Sequence, residues 1–132
     1  MLYRRFGKTE IQMPVFSCGG MRYQNAWKDQ REDEIPPESQ ANLEATIRRA
    51  FELGINHIET ARGYGTSEMQ LGRVLPALPR GEIIVQTKVA PFEDASKFMR
   101  AWEKSLAYLK LDYVDLLSLP ADEPGLKLFG NL

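Results

Sequence analysis

Residues 54–65 read GINHIETARGYG, and this stretch decides the fold of the 132-residue chain. Gly54 follows a segment with helical spacing, and glycine is a common stop signal for helices because it adopts the left-handed conformation easily. The short segment 55–60 that comes next predicts a strand. Apolar residues on one face of the preceding helix are Leu43, Ile47, Ala50 and Phe51. A helix, a glycine and a strand in this order indicate an alternating α/β fold.

A further strand and a hairpin are predicted nearer the amino terminus. Residues 15–18 form a short apolar run closed by two glycines, which predicts a strand and a turn. Residues 3–6 and 10–13 flank the Gly-Lys-Thr segment at 7–9 and suit a small β-hairpin. The polar segment 24–37 ends in two prolines and is expected to be a surface loop, and a long loop in a compact domain is often functional.

Strands and helices continue to alternate after residue 65. Ser67 and Gln70 have the spacing of a capping box. The short helix that this box would start carries Leu71, Leu75 and Leu78. Residues 83–87 are rich in β-branched side chains and predict a strand. Asp94 can cap a helix, and residues 113–117 predict a fourth strand. The apolar stripe of the helix after Asp94 is Phe98, Trp102, Leu106 and Leu109.

This order of elements predicts parallel strands that are joined by right-handed helical crossovers. The pattern alone does not separate an open doubly wound sheet from part of a (β/α) barrel. A complete eight-fold barrel needs about 200 residues or more. Four strands would make half of one. We therefore expect an N-terminal hairpin, then strands ordered one to four, with the helices on one face of the sheet.

Composition excludes several classes of partner. The 17 Lys and Arg residues nearly balance the 18 Asp and Glu residues, so no overall positive charge would recruit nucleic acid or an anionic membrane. No apolar run approaches the roughly 18 residues of a membrane span, and no secretory signal is recognisable. Cys18 and His57 are the single cysteine and the single histidine, so the usual Cys/His zinc patterns are absent and no metal site is expected. These features predict a cytoplasmic globular protein.

Three polar residues fall where predicted strands end. Glu59 closes the second strand, Tyr64 lies in the loop after it, and Lys88 closes the third strand. Parallel neighbours are about 4.8 Å apart, so side chains at their carboxyl ends can converge where α/β proteins place their sites. A phenol is a poor proton donor at neutral pH, and a neighbouring cation eases donation by stabilising the phenolate. The hypothesis is a Tyr64 general acid whose Lys88 partner is held by Glu59.

Four blocks in the same order resemble the aldo-keto reductase family. Segment 54–72 resembles the block that surrounds the family's catalytic Asp and Tyr. Segment 3–9 is similar to its N-terminal hairpin, and Thr-Lys at 87–88 to the segment with its catalytic lysine. Segment 105–117 is similar to its third helix and fourth strand. The resemblance covers about residues 1–119.

The resemblance implies a (β/α)8 TIM barrel, of which residues 1–119 would be the N-terminal half. It also implies a nicotinamide cofactor, usually NADPH, and hydride transfer to a small-molecule aldehyde or ketone. By position, Tyr64 is the catalytic acid, Lys88 activates it, and Glu59 stands where the family commonly has Asp. Gly20 and Met21 match a segment that approaches the nicotinamide, and are the expected cofactor-binding residues.

The carboxyl-terminal end departs from the family pattern. The family has a catalytic histidine just after the fourth strand, and here Pro120 occupies that position. Proline has no ionisable group and no N–H. The tail 120–132 resembles nothing in the family. We therefore expect a truncated chain that is inactive alone. It should self-associate through its open edges and through apolar residues on its barrel-facing side, which a closed barrel would bury. The alternatives are a catalytically silent remnant and a nicotinamide-binding regulatory protein.

Several other residues have competing interpretations. His57 lies two residues before Glu59 in the same predicted strand, so both side chains are expected on the same face of the sheet. A role for His57 as a hydrogen-bonded core residue is favoured over a catalytic role. Cys18 is favoured as a small buried hydrophobe over a nucleophile. The Gly-Lys-Thr at 7–9 is not a phosphate loop, because Leu2 stands where that motif needs glycine, and no Gly-x-Gly-x-x-Gly supports a Rossmann site. Trp27 either contacts a substrate or is an ordinary surface aromatic.

Overall fold

A computed structural model describes residues 1–119 and has the expected hairpin at its amino terminus. Strands β1 (Tyr3–Arg5) and β2 (Gln12–Pro14) pair antiparallel. The hydroxyl group of Tyr3 donates a hydrogen bond to the carbonyl oxygen of Gly54 at 2.8 Å. This bond attaches the hairpin to the segment that leads into the central sheet.

The central sheet has four parallel strands in the order in which they occur along the chain. They are β3 (Cys18–Gly19), β4 (His57–Glu59), β5 (Ile84–Lys88) and β6 (Leu116–Ser118). Sequential parallel order is what a growing (β/α) barrel requires, and a doubly wound sheet reverses its order at a switch point. The prediction of a half barrel with four parallel strands is confirmed.

Three helices connect these strands. They are α1 (Pro37–Glu52), α2 (Ser67–Leu71) and α3 (Ala95–Leu109), and short 3-10 turns occur at Glu32–Glu34, Leu75–Ala77 and Arg80–Glu82. Gly54 follows the end of α1 with a φ of 79°, as its assignment as a stop signal predicts. Asp94 caps α3 by accepting the backbone N–H of Ser96 at 2.8 Å, which confirms the predicted cap.

The core lies between the helices and one face of the sheet. Its buried members are Leu43, Ile47, Ile58, Leu71, Val74, Leu75, Ile83, Val85 and Leu109. Burial of each large aliphatic side chain contributes about 1.5 to 3 kcal/mol to the stability of the fold. Ile58 and Val85 are the central residues that β4 and β5 contribute to this core. Because side chains alternate along a strand, their neighbours in sequence face away from the helices.

The face turned away from the helices is mostly polar in strands β4 to β6. Strand register assigns to it His57, Glu59, Ile84, Gln86, Lys88, Leu116 and Ser118. Ile84 and Leu116 are the apolar residues among these, as expected of a barrel-facing side that carries some apolar residues. Polar side chains are tolerated here because they bond to one another. Self-association through the open sheet stays a prediction.

The predicted capping box at the start of α2 is wrong. Thr66 occupies the cap position and makes no side-chain cap hydrogen bond, while the hydroxyl group of Ser67 bonds to that of Thr60 at 2.8 Å. Helix α2 ends at Leu71, so Leu75 belongs to a following 3-10 turn. The side chain of Ser67 therefore bonds to Thr60, the residue after β4, instead of capping α2 as its spacing from Gln70 predicted.

The first parallel strand is shorter than the sequence predicted. The first parallel strand comprises Cys18–Gly19, so the exposed apolar residues Val15 and Phe16 precede it. The tail at 120–132, with Pro120, lies outside the described residues. Within residues 1–119 no helix is long and apolar enough to cross a membrane.

Candidate active site

Glu59, Tyr64 and Lys88 converge at the carboxyl ends of the strands. Glu59 is the last residue of β4 and Lys88 the last of β5, and these strands are direct neighbours. The ammonium group of Lys88 donates a hydrogen bond to the hydroxyl oxygen of Tyr64 at 2.7 Å and forms an ion pair with the carboxylate of Glu59. It also lies 4.5 Å from the centroid of the Tyr64 ring. The predicted clustering of these three side chains is confirmed, while their catalytic roles stay predictions.

The charge on Lys88 results from two opposing effects. Partial burial lowers the pKa of its ammonium group below the ordinary value, because desolvation disfavours the charged form. The adjacent carboxylate of Glu59 favours the charged form. About four-fifths of each of these two side chains is shielded from solvent, which strengthens their attraction relative to an exposed pair. The arrangement keeps a cation against the phenol oxygen of Tyr64.

The geometry leaves the phenolic proton of Tyr64 available. An ammonium group has three N–H donors and no acceptor, so in the bond with Lys88 the phenol oxygen accepts. The hydroxyl hydrogen of Tyr64 can then be donated to another acceptor. The Tyr64 side chain is only half-buried, so an acceptor can approach it from solvent. These residues can therefore act as a general acid with an attached cation.

The loop that carries Tyr64 is attached to the sheet and to the long loop before α1. The backbone N–H of Arg62 donates to the carbonyl oxygen of Lys88 at 2.8 Å. The N–H groups of Asn25 and Ala26 donate to the hydroxyl oxygen of Thr66 at 3.0 and 3.1 Å. Part of the predicted surface loop is therefore docked beside the site.

Sequence reasoning missed a partly buried ion-pair network next to this loop. Arg62 forms ion pairs with Glu68 and with Asp29 of the long loop. Glu68 is fully buried, and its carboxylate accepts a hydrogen bond from the hydroxyl group of Thr87 at 2.6 Å. Burial raises the pKa of Glu68, and the charge of Arg62 opposes that rise. No local signal distinguishes Glu68 from an ordinary acidic residue in the first turn of a helix.

The two expected cofactor-binding residues follow β3 at the same edge of the sheet. A Cβ atom added at Gly20 would lie 2.6 Å from the carbonyl oxygen of Glu59 and 2.9 Å from the hydroxyl oxygen of Ser67. Close packing therefore accounts for glycine at this position. Met21 is 37% exposed. Contact of Gly20 or Met21 with a nicotinamide stays a prediction.

Cys18 and Trp27 differ in their burial. Cys18 is partly buried against the core, and burial raises the pKa of its thiol, which makes it a poor nucleophile. Trp27 is 59% exposed, and its backbone packs against Gly65 beside Tyr64. Contact of Trp27 with a substrate stays a prediction. Among residues 1–119 no group of three His, Cys, Asp or Glu side chains could hold a metal ion.

His57 belongs to a hydrogen-bond chain across the polar face of the sheet. Its Nε2 atom lies 3.0 Å from the side-chain oxygen of Gln86, and its Nδ1 atom lies 2.7 Å from the hydroxyl oxygen of Ser17. Because an amide oxygen only accepts, Nε2 carries the hydrogen and Nδ1 accepts from Ser17. Gln86 continues the chain by donating to Ser118 at 2.7 Å. The interpretation of His57 as a satisfied core histidine is confirmed.

Stability should depend on the protonation of His57. Burial lowers the pKa of His57 in the folded state below its ordinary value of 6.5, so the unfolded chain binds the proton more strongly. The stability due to neutral His57 is therefore complete above about pH 6.5 and is lost as the pH falls through the lower folded pKa. We expect the stability difference between the wild-type chain and His57→Gln to shrink from about pH 7 to about pH 5 in urea denaturation. A constant difference would contradict this assignment.

Comparisons with known proteins agree with this architecture. The profile of the Aldo/keto reductase family matches residues 16–128. L-galactose dehydrogenase from Arabidopsis thaliana is 40% identical over 90 residues, which are 61% of this chain and 28% of that protein. The chain thus spans less than a third of the length of this curated relative.

Solved structures show the same fold. A thermostable aldo-keto reductase, Tm1743, superposes with a TM-score of 0.79 at 24% identity, over 95% of this chain and 44% of the other. An aldo-keto reductase complexed with NADPH superposes with a TM-score of 0.57 at 21% identity, over 81% of this chain and 32% of the other. In both cases the present chain corresponds to half of the solved one or less.

Proposed function

Because this chain belongs to the Aldo/keto reductase family, we propose that it supplies the proton-donating part of an oxidoreductase site that converts aldehydes or ketones to alcohols. The observation that carries the proposal is the contact of 2.7 Å between Lys88 and Tyr64, with Glu59 paired to the same ammonium group. Tyr64 donates the proton to the carbonyl oxygen of the substrate. Lys88 stabilises the phenolate that results, and Glu59 holds Lys88 in place.

The chemistry of these three residues fits a reduced nicotinamide as the cofactor. Reduction of a carbonyl group requires a hydride and a proton, and Tyr64 with Lys88 can supply only the proton. When it is bound, NADPH supplies the hydride. Gly20 and Met21 would hold its nicotinamide end, since they follow β3 at the edge of the sheet that Tyr64 and Lys88 share. The structural relative that is complexed with NADPH supports this choice of cofactor.

The test is an assay of NADPH oxidation. It uses the native protein, purified from the organism that produces it. A panel of aldehydes and ketones is added, the absorbance of the reduced nicotinamide is followed, and the alcohol is quantified by chromatography. We expect oxidation that depends on the carbonyl compound and yields an equal amount of alcohol. A parallel run with NADH establishes the preferred cofactor.

The assay also separates the alternatives. NADPH binding without turnover on any carbonyl compound would favour a nicotinamide-binding regulatory protein. Absence of both binding and turnover would favour a catalytically silent member of the family. Either result would overturn the proposed reaction.

A further inference from the structure

One buried carboxylate connects the two segments that carry Tyr64 and Lys88. The side chain of Glu68 is 0% exposed. One of its oxygens accepts the hydroxyl group of Thr87 at 2.6 Å, and the other is paired with the guanidinium group of Arg62. Thr87 immediately precedes Lys88 in β5, and Arg62 lies two residues before Tyr64.

The backbone completes this connection. The N–H of Arg62 donates to the carbonyl oxygen of Lys88 at 2.8 Å, so the main chain of Arg62 bonds directly to β5. The side chain of Arg62 is connected to β5 through Glu68 of α2, which accepts the hydroxyl group of Thr87. The guanidinium group of Arg62 has two further contacts. It pairs with Asp29 and lies 4.6 Å from the centroid of the Tyr108 ring. Arg62 is thus held on several sides, and Glu68 connects its side chain to Thr87.

We propose that Glu68 is a positioning residue, which sets the contact between Tyr64 and Lys88 by holding Arg62 and Thr87 at a constant separation. Charge-assisted hydrogen bonds are short and directional, so the carboxylate constrains orientation as well as distance. A buried ionic group gives little net stability compared with an apolar side chain of similar volume. The geometric role accounts for a carboxylate at a position with no contact to solvent.

The consequence for catalysis rests on the proposed function, but the geometry of the pair can be tested without turnover. Thr87→Val removes the hydroxyl group with little change in volume, while Thr87→Ser keeps the hydroxyl group and serves as the matched control. Glu68→Gln removes the charge and keeps the shape. Circular dichroism and urea denaturation establish that each variant is folded.

The geometric readout is the rate at which Lys88 is acetylated by acetic anhydride, measured by mass spectrometry relative to the exposed Lys97 of α3. We expect Lys88 to react several-fold faster in Thr87→Val and in Glu68→Gln, because Tyr64 no longer covers its ammonium group. The Thr87→Ser variant should match the wild-type chain. Unchanged reactivity of Lys88 in folded Thr87→Val would overturn the proposal, even if Glu68→Gln failed to fold.

The catalytic readout uses the same variants in the carbonyl reduction assay. A displacement of about 1 Å between reacting groups costs about 100-fold in rate, so kcat should fall by that order in Thr87→Val while KM stays unchanged and Thr87→Ser restores kcat. An unchanged kcat beside faster acetylation would overturn the positioning role in the reaction. If no variant and no wild-type protein reduces carbonyls, the proposed function fails, and the acetylation pattern still decides whether Glu68 positions the pair.

Discussion

Replacement of Tyr64 by phenylalanine is expected to lower kcat for carbonyl reduction by about 100-fold to 10,000-fold, the usual contribution of a general acid. The substitution removes only the hydroxyl oxygen that lies 2.7 Å from the ammonium group of Lys88. The ion pair between Lys88 and Glu59 stays, so the fold and the local charge should persist. The loss should therefore appear in kcat, and the affinity for NADPH should be unchanged.

The matched control is Tyr113→Phe. Tyr113 is 51% exposed and precedes β6, so it lies toward the opposite end of the strands from Tyr64. Its hydroxyl group should contribute nothing to catalysis, and steady-state kinetics should match the wild-type protein. Equal kcat values for Tyr64→Phe and the wild-type protein would remove Tyr64 from the mechanism, whatever the fold suggests.

Arg62→Met is expected to destabilise the chain by about 3 to 5 kcal/mol at neutral pH, because it leaves a buried carboxylate without its counter-ion. Glu68 is fully buried, and the partner that remains to it from the network described above, the hydroxyl group of Thr87, carries no charge. Such a loss is a large part of the total stability of a typical domain, which is about 5 to 15 kcal/mol. Urea denaturation at equilibrium measures it.

Lowering the pH should restore part of the stability that Arg62→Met loses. Burial already raises the pKa of Glu68 above its ordinary value of 4.5, and removal of the Arg62 charge takes away an effect that lowers it. A carboxyl group whose pKa is raised by folding favours the folded state when it is protonated, and this benefit disappears as the pH rises through the folded pKa. The stability difference between Arg62→Met and the wild-type chain should therefore be largest near pH 7 and smaller near about pH 5.

Arg49→Met provides the control for charge removal. Arg49 pairs with Glu52 at 2.9 Å on the surface of α1, where both side chains are more than half exposed. Exposed pairs of this kind contribute about 0 to 1 kcal/mol, so this variant should remain close to the wild-type chain at every pH. Similar losses for Arg49→Met and Arg62→Met would show that the burial of Glu68 has no special energetic consequence.

The order of the elements could be predicted from the sequence because its signals are local. Helical spacing before Gly54, the strand at 55–60 and the cap at Asp94 each depend on residues that are close in the chain. Alternating elements then lead to parallel strands, and parallel neighbours bring their carboxyl ends together. This is why the convergence of Glu59 with Lys88 was predictable from their positions at the ends of two strands.

Only the tertiary structure decided which polar groups are buried together. The bond between Thr87 and Glu68 joins residues 19 positions apart, and the bond between His57 and Gln86 joins residues 29 positions apart. Side-chain type and spacing give no information about such partners, so Glu68 has the sequence features of a solvated residue. Whether a charge is exposed or buried depends on the free energy of desolvation, and that quantity is defined only when the surrounding elements have packed.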